Sequence, residues 1–259
     1  MNIDLCDEIE ISSAKDISLQ VSGNHTVLED DLILQVARQL KNDSGYDGGA
    51  KIHLKKKIPV SAGLGGGSSD AAAVLRGLNK LWGLGWAKDQ LIESAVSVSS
   101  DAAFFFYGGT ALAEGRGEVI TSLPDIDPLD LVLLVPPLKL KEKTKRMYKS
   151  LQDSDFGLGL LTDQLLDKYL RERVLDTNML VNAFQSGAFK MWPELEGYRN
   201  LFMKYGASKV YLAGSGPVMF AFLSPSFDID RRAEIMPELP SPLLIKARTI
   251  SSSETLKAE

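Results

Sequence analysis

One stretch of the chain, IPVSAGLGGGSSDAAAVL from Ile58 to Leu75, strongly constrains the possible fold. It places a run of glycines between an alternating strand pattern that stops at a proline and an alanine-rich helical pattern. Glycine loses more backbone freedom on folding than any other residue, so several together indicate a position where bare backbone is needed. Because unpaired N–H groups at a helix N-terminus bind anions that approach closely, the stretch predicts an anion-binding loop between a strand and a helix.

The loop differs from two well-known phosphate loops. A Walker A loop needs a Gly-Lys pair, which the sequence lacks, and a dinucleotide fingerprint counted from Gly63 needs a glycine where Ser68 stands. Ser68 and Ser69 could cap the helix, donate to a phosphate oxygen or lie beside magnesium, and Asp70 in the first turn suits the helix dipole. The alternative is a flexible turn that only caps a helix, which the order of proline, glycines, serines and acid disfavours.

Composition excludes several classes of function. The 259 residues carry a formal net charge of -5, which disfavours nucleic acid or an anionic membrane as the main partner. One cysteine permits no intramolecular disulfide, and two histidines with that cysteine are too few for a His/Cys zinc site. No apolar stretch approaches the ~20 residues that span a bilayer. We therefore expect a cytoplasmic protein, monomeric or homodimeric, that binds a small molecule.

Strand and helix patterns alternate along the chain and predict an α+β protein. The segment PDIDPLD, rich in proline and acid, predicts a boundary near Pro128, with domains at residues 1–128 and 129–259. The patterns also predict a loop at SSDAAFFFYGG, one helix from Thr177 to Lys190, a helix near Arg231 and a polar tail. His53 alternates with apolar neighbours and is expected to face solvent.

The loop PVSAGLGGGSSDAA resembles the phosphate loop of the GHMP kinases, named for galactokinase, homoserine kinase, mevalonate kinase and phosphomevalonate kinase. The resemblance runs from about Asp4 to Thr249, although Asp31 stands where the family usually has asparagine. It implies an α+β, two-domain GHMP kinase fold, with a ribosomal-protein-S5-like N-terminal domain and a ferredoxin-like C-terminal domain. Further stretches that agree in order are VLEDDLILQVARQL, NKLWGLGWAKDQL, GGTALAEGRGEVITSL and LAGSGPVMFAFL.

Within the superfamily, the triple glycine before SSDAA most resembles the members that phosphorylate the 2-hydroxyl of 4-diphosphocytidyl-2-C-methyl-D-erythritol in isoprenoid synthesis. The resemblance implies ATP and Mg²⁺ as cofactors, with unknown magnesium ligands. Asp101 in SSDAAFFF keeps the position of the catalytic aspartate, which accepts the proton of the attacking hydroxyl. Ser99 and Ala103 replace the family's glycine and proline, so the loop geometry is expected to shift. The implied ATP-binding residues are Pro59, Val60, Ser61, Ala62, Gly63, Leu64, Gly65, Gly66, Gly67, Ser68 and Ser69.

In the C-terminal half, the resemblance implies a substrate site. Thr144 and Tyr148 match positions that contact substrate, where an aromatic ring stacks on cytosine, although a tyrosine at helical spacing can equally be core packing. Asn182 matches a family asparagine, but the acid that usually follows it is absent, so it receives no role. The turn AGSGPV is expected near the substrate phosphates, through Gly214, Ser215 and Gly216.

The largest departure from the family pattern is at the front. The family's first strand bears Ala-Lys-Ile-Asn-Leu, whose lysine pairs with the catalytic aspartate, and a Gly-Tyr-His segment follows; about forty family residues have no counterpart here. Either a late start site or a degenerate member would account for this. Two alternatives to the expected kinase therefore remain: a GHMP kinase for another alcohol, and a non-catalytic nucleotide-binding remnant.

Overall fold

The computed structural model describes residues 1–22, 31–152, 159–223, 227 and 239–256. These residues group into two compact units. The first unit comprises Met1–Val60, Gly65–Leu123 and Ile250–Glu259, and the second comprises Ser61–Leu64 and Pro124–Thr249. The domain boundaries at residues 1–128 and 129–259 remain a prediction, and the helix predicted near Arg231 lies outside the described residues.

The first unit combines a small mixed sheet with helices. Its central strand β3 (Gly49–Lys55) runs antiparallel to β1 (Glu8–Ala14) and parallel to β2 (Ser18–Ser22), in the order β1-β3-β2. Ile52 and Leu54 of β3 are buried, whereas His53 between them is only partly buried on the opposite face, as the alternation predicts. The elements of this unit are β1 (Glu8–Ala14), β2 (Ser18–Ser22), α1 (Leu32–Ser44), β3 (Gly49–Lys55), α2 (Gly66–Leu81), α3 (Lys88–Val96), a 3-10 helix (Ser100–Phe106), β4 (Thr110–Glu114), β5 (Val119–Leu123) and α8 (Ser252–Thr255).

Apolar side chains of α1, α2 and β3 form the core of the first unit. Val36 and Leu40 of α1 pack in one buried cluster with Leu75 and Leu78 of α2. Asp31 caps α1 by accepting a hydrogen bond from the backbone N–H of Ile33 at 3.0 Å. Asparagine and aspartate are both good N-caps, which explains why aspartate can stand at this position. The core therefore holds α2, and with it the glycine turn, on a rigid support.

The second unit is built on an antiparallel sheet of four strands, β6 (Asp130–Val135), β7 (Tyr211–Leu212), β8 (Met219–Phe222) and β9 (Leu243–Arg248), which lie side by side in the order β7-β8-β6-β9. If the strands of this unit are numbered 1 to 4 along the chain, their order across the sheet is 2-3-1-4. This is the order of a ferredoxin-like sheet, as predicted. A buried cluster that includes Val132, Leu134, Tyr198 and Phe202 joins the sheet to its helices. The elements of this unit are β6 (Asp130–Val135), α4 (Lys143–Ser150), α5 (Leu160–Glu172), a 3-10 helix (Thr177–Met179), α6 (Phe184–Met191), α7 (Glu194–Lys204), β7 (Tyr211–Leu212), β8 (Met219–Phe222) and β9 (Leu243–Arg248).

Three predicted elements need correction. The predicted loop SSDAAFFFYGG contains the 3-10 helix Ser100–Phe106. The predicted helix from Thr177 to Lys190 is interrupted: a 3-10 helix spans Thr177–Met179, and α6 begins only at Phe184, whose backbone N–H donates to the side chain of Asn182 at 2.9 Å. The polar tail contains α8, a short helix with a capping box between Ser251 and Glu254.

Helix α8 belongs to the first unit, although in sequence it follows the whole of the second unit. The Thr255 hydroxyl accepts the backbone N–H of Gly109 at 3.3 Å, and the backbone N–H of Ile250 donates to the carbonyl of Asn2 at 3.1 Å. Within the described part of the chain, no helix has the length and apolar character needed to cross a membrane.

Candidate active site

The glycine turn of the first unit ends where helix α2 begins. Gly65 is the N-cap, with a φ of 71°, and Gly66 is the first helical residue. A Cβ atom at Gly65 would lie 2.9 Å from Cζ of Phe105, so glycine is required there for both backbone conformation and space. Gly65 has no side chain to cap the helix, so the N–H groups of the first turn remain available to an anion at the positive end of the helix dipole.

Within the second unit, two glycine-bearing segments meet backbone to backbone. A Cβ atom on Gly63, whose φ is 84°, would lie 2.3 Å from the carbonyl oxygen of Ala213. A Cβ atom on Gly214 would lie 2.8 Å from the carbonyl oxygen of Gly63. The backbone N–H of Val218 also donates to the carbonyl of Ala62 at 3.3 Å. Glycine is needed here because the protein packs against itself, in addition to any approach by a ligand.

The serines of the loop do not cap α2, contrary to one of the expectations. They lie inside the helix, where the Ser69 hydroxyl donates to the carbonyl of Gly66 at 2.8 Å. The Ser68 hydroxyl lies 2.9 Å from the hydroxyl of Ser99, beside the 3-10 helix that bears Asp101. This hydrogen bond joins the start of α2 to the segment that carries the expected catalytic base.

Asp101 lies in the first turn of the 3-10 helix Ser100–Phe106 and its side chain is exposed. Its Oδ1 atom lies 3.4 Å from the position of a Cβ atom on Gly117, in the turn between β4 and β5. The preceding Ser99 has a φ of -149°, which is ordinary extended backbone, and Ala103 is fully buried. The segment therefore forms without the family's glycine and proline, because neither position needs a special backbone conformation.

Asp70 does not act at the helix dipole as expected, because it is buried one turn into α2. Its Oδ2 atom lies 2.6 Å from Nζ of Lys56, which also lies 2.6 Å from Oδ2 of Asp7. Burial raises the pKa of the Asp70 carboxyl to about 7, against the opposing effect of Lys56. Burial lowers the pKa of Lys56, but Asp70 and Asp7 outweigh it and the net pKa is raised. No sequence pattern indicated this cluster.

The expected substrate residues of the second unit lie close together. Thr144 and Tyr148 are one turn apart on α4 and so share a face of the helix. The Thr144 hydroxyl is 3.5 Å from the hydroxyl of Ser215 in the turn that contains Gly214 and Gly216. Tyr148 is 61% exposed and contacts the ring of Phe184 edge-on at 5.1 Å. A largely exposed ring of this kind is available to stack on a ligand, and it is not core packing.

Two further residues of the second unit hold the same turn, and the sequence did not reveal either role. Nζ of Lys143, which is buried, donates to the carbonyl of Ser61 at 3.0 Å and to the carbonyl of Gly216. Burial lowers the pKa of Lys143 to about 8. The amide of Asn182 donates to the carbonyl of Gly214 at 2.8 Å and to that of Leu212 at 2.9 Å. The contacts of Lys143 and Asn182 join residues that are tens of positions apart, so no local sequence pattern could predict them.

Comparison with known proteins assigns these features to a family. The family model described as "GHMP kinases N terminal domain" matches residues 31–109, and the one described as "GHMP kinases C terminal" matches residues 168–240. A relative from Dehalococcoides mccartyi, named 4-diphosphocytidyl-2-C-methyl-D-erythritol kinase, is 37% identical over 223 residues, which are 86% of this chain and 78% of the relative. This chain belongs to the GHMP kinases. It is therefore a small-molecule kinase, as the resemblance implied.

Other members of the family agree. A kinase of the same name from Geobacillus kaustophilus is 38% identical over 85% of this chain and 77% of its own length. Among solved structures, a 4-(cytidine 5'-diphospho)-2C-methyl-D-erythritol kinase matches with a TM-score of 0.73 and 28% identity, covering 96% of this chain and 88% of that one. Homoserine kinase from Cytophaga hutchinsonii, 16% identical with a TM-score of 0.69, shares the fold over 96% of this chain and 87% of its own. The GHMP kinase fold predicted from the sequence is thus confirmed.

Proposed function

We propose that this GHMP kinase transfers the terminal phosphate of ATP to the 2-hydroxyl of 4-diphosphocytidyl-2-C-methyl-D-erythritol. The relatives that carry this substrate in their names align over more than four fifths of the chain. The observation that carries the chemistry is the Ser68–Ser99 hydrogen bond of 2.9 Å, which joins the anion-binding start of α2 to the segment of Asp101. Phosphate-binding groups and a catalytic base are two of the parts that recur in sites for phosphoryl transfer.

In the proposed reaction, the carboxylate of Asp101 accepts the proton of the 2-hydroxyl. The hydroxyl oxygen forms a bond to the terminal phosphorus as the bond from that phosphorus to the bridging oxygen breaks. ADP leaves with the electron pair of that bond. Backbone N–H groups at the first turn of α2 stabilise the negative charge on the phosphates, and their fixed orientation lowers the cost of reorganisation. Pro59 to Ser69 are the proposed ATP-binding residues.

Magnesium fits the oxygen ligands of the first unit. Among the described residues no cluster of three His, Cys, Asp or Glu side chains could hold a metal ion. Mg²⁺ usually needs no such cluster, because it binds one or two carboxylates together with substrate phosphates. The Ser68 hydroxyl at the start of α2 would be the protein ligand, together with oxygens of the phosphates and of water. When bound, the ion offsets the charge of the phosphate groups.

The second unit supplies the proposed substrate contacts. Tyr148 offers an exposed aromatic face for the cytosine ring, and Thr144 and Ser215 offer hydroxyl donors for the diphosphate. Of the two glycines of this turn, Gly214 is exposed to a ligand, whereas Gly216 is buried against Leu212. Recognition of the substrate at both the base and the phosphates would favour this alcohol over smaller ones.

Release of ADP by the 259-residue chain, with Mg²⁺, ATP and the proposed substrate, tests this function. We expect turnover and a product phosphorylated on the 2-hydroxyl, identified by phosphorus NMR. Asp101→Asn should lower kcat by about 10²- to 10⁴-fold, because the general base is lost. Asp47→Asn, which changes an exposed aspartate in the loop after α1, is the matched control and should leave kcat unchanged.

Three outcomes would contradict the proposal. A folded chain that binds ATP but releases no ADP above the substrate-free level would mean that it is not a working kinase for this alcohol. Equal turnover of Asp101→Asn and Asp47→Asn would remove Asp101 as the base. Faster turnover of homoserine, mevalonate or galactose than of the proposed substrate would place the chain with another branch of the family.

A further inference from the structure

The base of the glycine turn in the first unit holds a buried cluster of three charged side chains. The side chains of Asp7, Lys56 and Asp70 are 2%, 8% and 5% exposed, respectively. We propose that this Asp7–Lys56–Asp70 cluster is a positioning device that holds the glycine turn in the shape in which α2 binds the phosphates of ATP. The proposal rests on the proposed function, because it assumes that the ligand of the turn is ATP.

Asp7 fixes the chain where it enters the turn. Its Oδ1 atom accepts two backbone hydrogen bonds, from the N–H of Lys57 at 2.5 Å and from the N–H of Ile58 at 2.8 Å. Its Oδ2 atom accepts a hydrogen bond from Nζ of Lys56 at 2.6 Å. A single carboxylate therefore sets the path of three consecutive residues just before Pro59.

Lys56 joins that entry to the far side of the turn. Its Nζ atom donates to Oδ2 of Asp70, which lies on α2 one turn after the start of the helix. A Cβ atom on Gly66 would lie 3.3 Å from the same Nζ atom, so the ammonium group lies directly against the first helical residue. The lysine therefore connects the chain just before Pro59 to the first turn of α2, whose N–H groups are expected to face the phosphates.

Because its three side chains are charged, the cluster can fix the arrangement of the residues around the glycine turn. A buried ion pair often adds little net stability over apolar side chains of similar volume, whereas losing one partner is costly. The short hydrogen bonds from Lys56 form in only one arrangement of Asp7 and Asp70. Apolar contacts would permit several arrangements. Small displacements of groups that bind a reacting substrate cost large factors in rate. A fixed cluster beneath the turn therefore positions the groups that bind the nucleotide, in addition to its effect on stability.

Calorimetric titration with the non-hydrolysable analogue adenylyl-imidodiphosphate tests the proposal, with Lys56→Met compared to Lys57→Met. Lys57 is the neighbouring lysine, 42% exposed, and pairs with Glu8 on the surface, so the control removes the same charge one residue away. We expect Lys56→Met to weaken binding about tenfold or more, and Lys57→Met to bind within about twofold of wild type. In turnover, Lys56→Met should raise the KM for ATP more than it lowers kcat.

A double variant provides a rescue that loss of packing would not show. In Lys56→Met with Asp70→Asn, the new amide can donate to Asp7 and again join the two sides of the turn. We expect the double variant to recover part of the affinity that Lys56→Met loses. An affinity no better than that of Lys56→Met would overturn the proposal.

Asp70→Asn alone keeps the proposal testable if Lys56→Met does not fold, because it preserves shape and an acceptor for Lys56. We expect binding about threefold weaker than wild type, since the acceptor loses its charge. Wild-type affinity in Asp70→Asn, or in a folded Lys56→Met, would overturn the positioning role. These results do not depend on the alcohol: analogue binding with no turnover of the diphosphocytidyl substrate would contradict the proposed function and leave the cluster intact.

Discussion

Each unit of this kinase contains a buried lysine beside a glycine-bearing turn, and the two lysines have opposite surroundings. Lys56 in the first unit lies 2.6 Å from two carboxylate oxygens, those of Asp7 and Asp70. Nζ of Lys143 in the second unit donates only to backbone carbonyls, those of Ser61 and Gly216, and among the described residues no carboxylate forms an ion pair with it. Lys56 therefore has two carboxylate partners for its one positive charge, whereas Lys143 has only carbonyl dipoles.

The pKa values follow this difference. Although burial lowers the pKa of Lys56, its two carboxylates raise the net value, whereas burial lowers the pKa of Lys143 to about 8 with no carboxylate to oppose it. A lysine with carboxylate partners keeps its charge and a fixed position at any physiological pH. A lysine that meets only carbonyl dipoles holds its proton less firmly. The comparison predicts different responses of the two units to mutation and to pH.

The largest expected effect is that of Lys56→Met on stability. Removing the lysine leaves two carboxylates buried without a cation, so we expect the free energy of unfolding to fall by about 3–5 kcal/mol. Urea denaturation measured at pH 7.5 would determine the loss. Lys57→Met, on the surface, should unfold with no measurable change. A loss below about 1 kcal/mol in Lys56→Met would mean that the cluster tolerates its own excess negative charge.

Lys143→Met should cost less. It removes a buried charge that is itself unfavourable, but it leaves the carbonyls of Ser61 and Gly216 without a donor, so we expect a loss of about 1–3 kcal/mol. The same urea series checks this value, with the exposed Lys145→Met on the same helix as the control. A larger loss than that of Lys56→Met would reverse the comparison.

The third prediction concerns the pH dependence of stability that Asp70 contributes. Its pKa is about 7 in the folded protein against an ordinary value of 3.8, so between these values the folded state binds a proton that the unfolded state has released. Stability relative to Asp70→Asn should therefore fall as the pH rises from about 4 to about 7. Thermal unfolding of both proteins over this range measures the difference. Parallel pH curves would show that Lys56 fully compensates the burial of Asp70.

The fourth prediction concerns the pH dependence of stability that Lys143 contributes, where the pKa shift is smaller than that of Asp70. Its folded pKa of about 8 lies below its ordinary value of 10.5, so between these values the unfolded state binds the extra proton. Stability relative to Lys143→Met should rise as the pH increases from about 8 to about 10. Urea midpoints over this range test the sign. A constant difference would indicate that the carbonyls of the second unit compensate the charge as well as carboxylates do.

The local features of the fold could be predicted from the sequence because they rest on short-range patterns. The glycine turn lies between strand β3 and helix α2, as the alternating pattern before it and the alanine-rich pattern after it predict. The interruption at residues 180–183 was missed, since a helical pattern on both sides hides an asparagine, Asn182, whose side chain accepts the backbone N–H of Phe184 just before the second helix. The 3-10 helix around Asp101 was missed because its apolar run, AAFFF, follows no clear helical or strand period.

The candidate site was predictable only in part. Motif residues such as Asp101 and Ser215 could be identified because the family pattern is local, and their roles remain predictions. Lys56 and Asp7 are 49 residues apart, and Lys143 and Ser61 are 82 apart. Nothing in either lysine's neighbourhood, KKKIP or EKTKR, distinguishes a buried ammonium group from the solvated lysines on each side. Only the tertiary fold decides which lysine of a basic run is removed from water.

The intertwined course of the chain has a consequence for dissecting this kinase. Residues 61–64 belong to the second unit, and residues 250–256 return to the first, where Thr255 accepts a hydrogen bond from Gly109 and Ile250 donates to Asn2. A fragment that stops at Leu123 therefore loses part of its own unit and retains a loop that belongs to the other. Fragment complementation or domain exchange between relatives would have to carry the C-terminal tail with the N-terminal half, for example through a circular permutant.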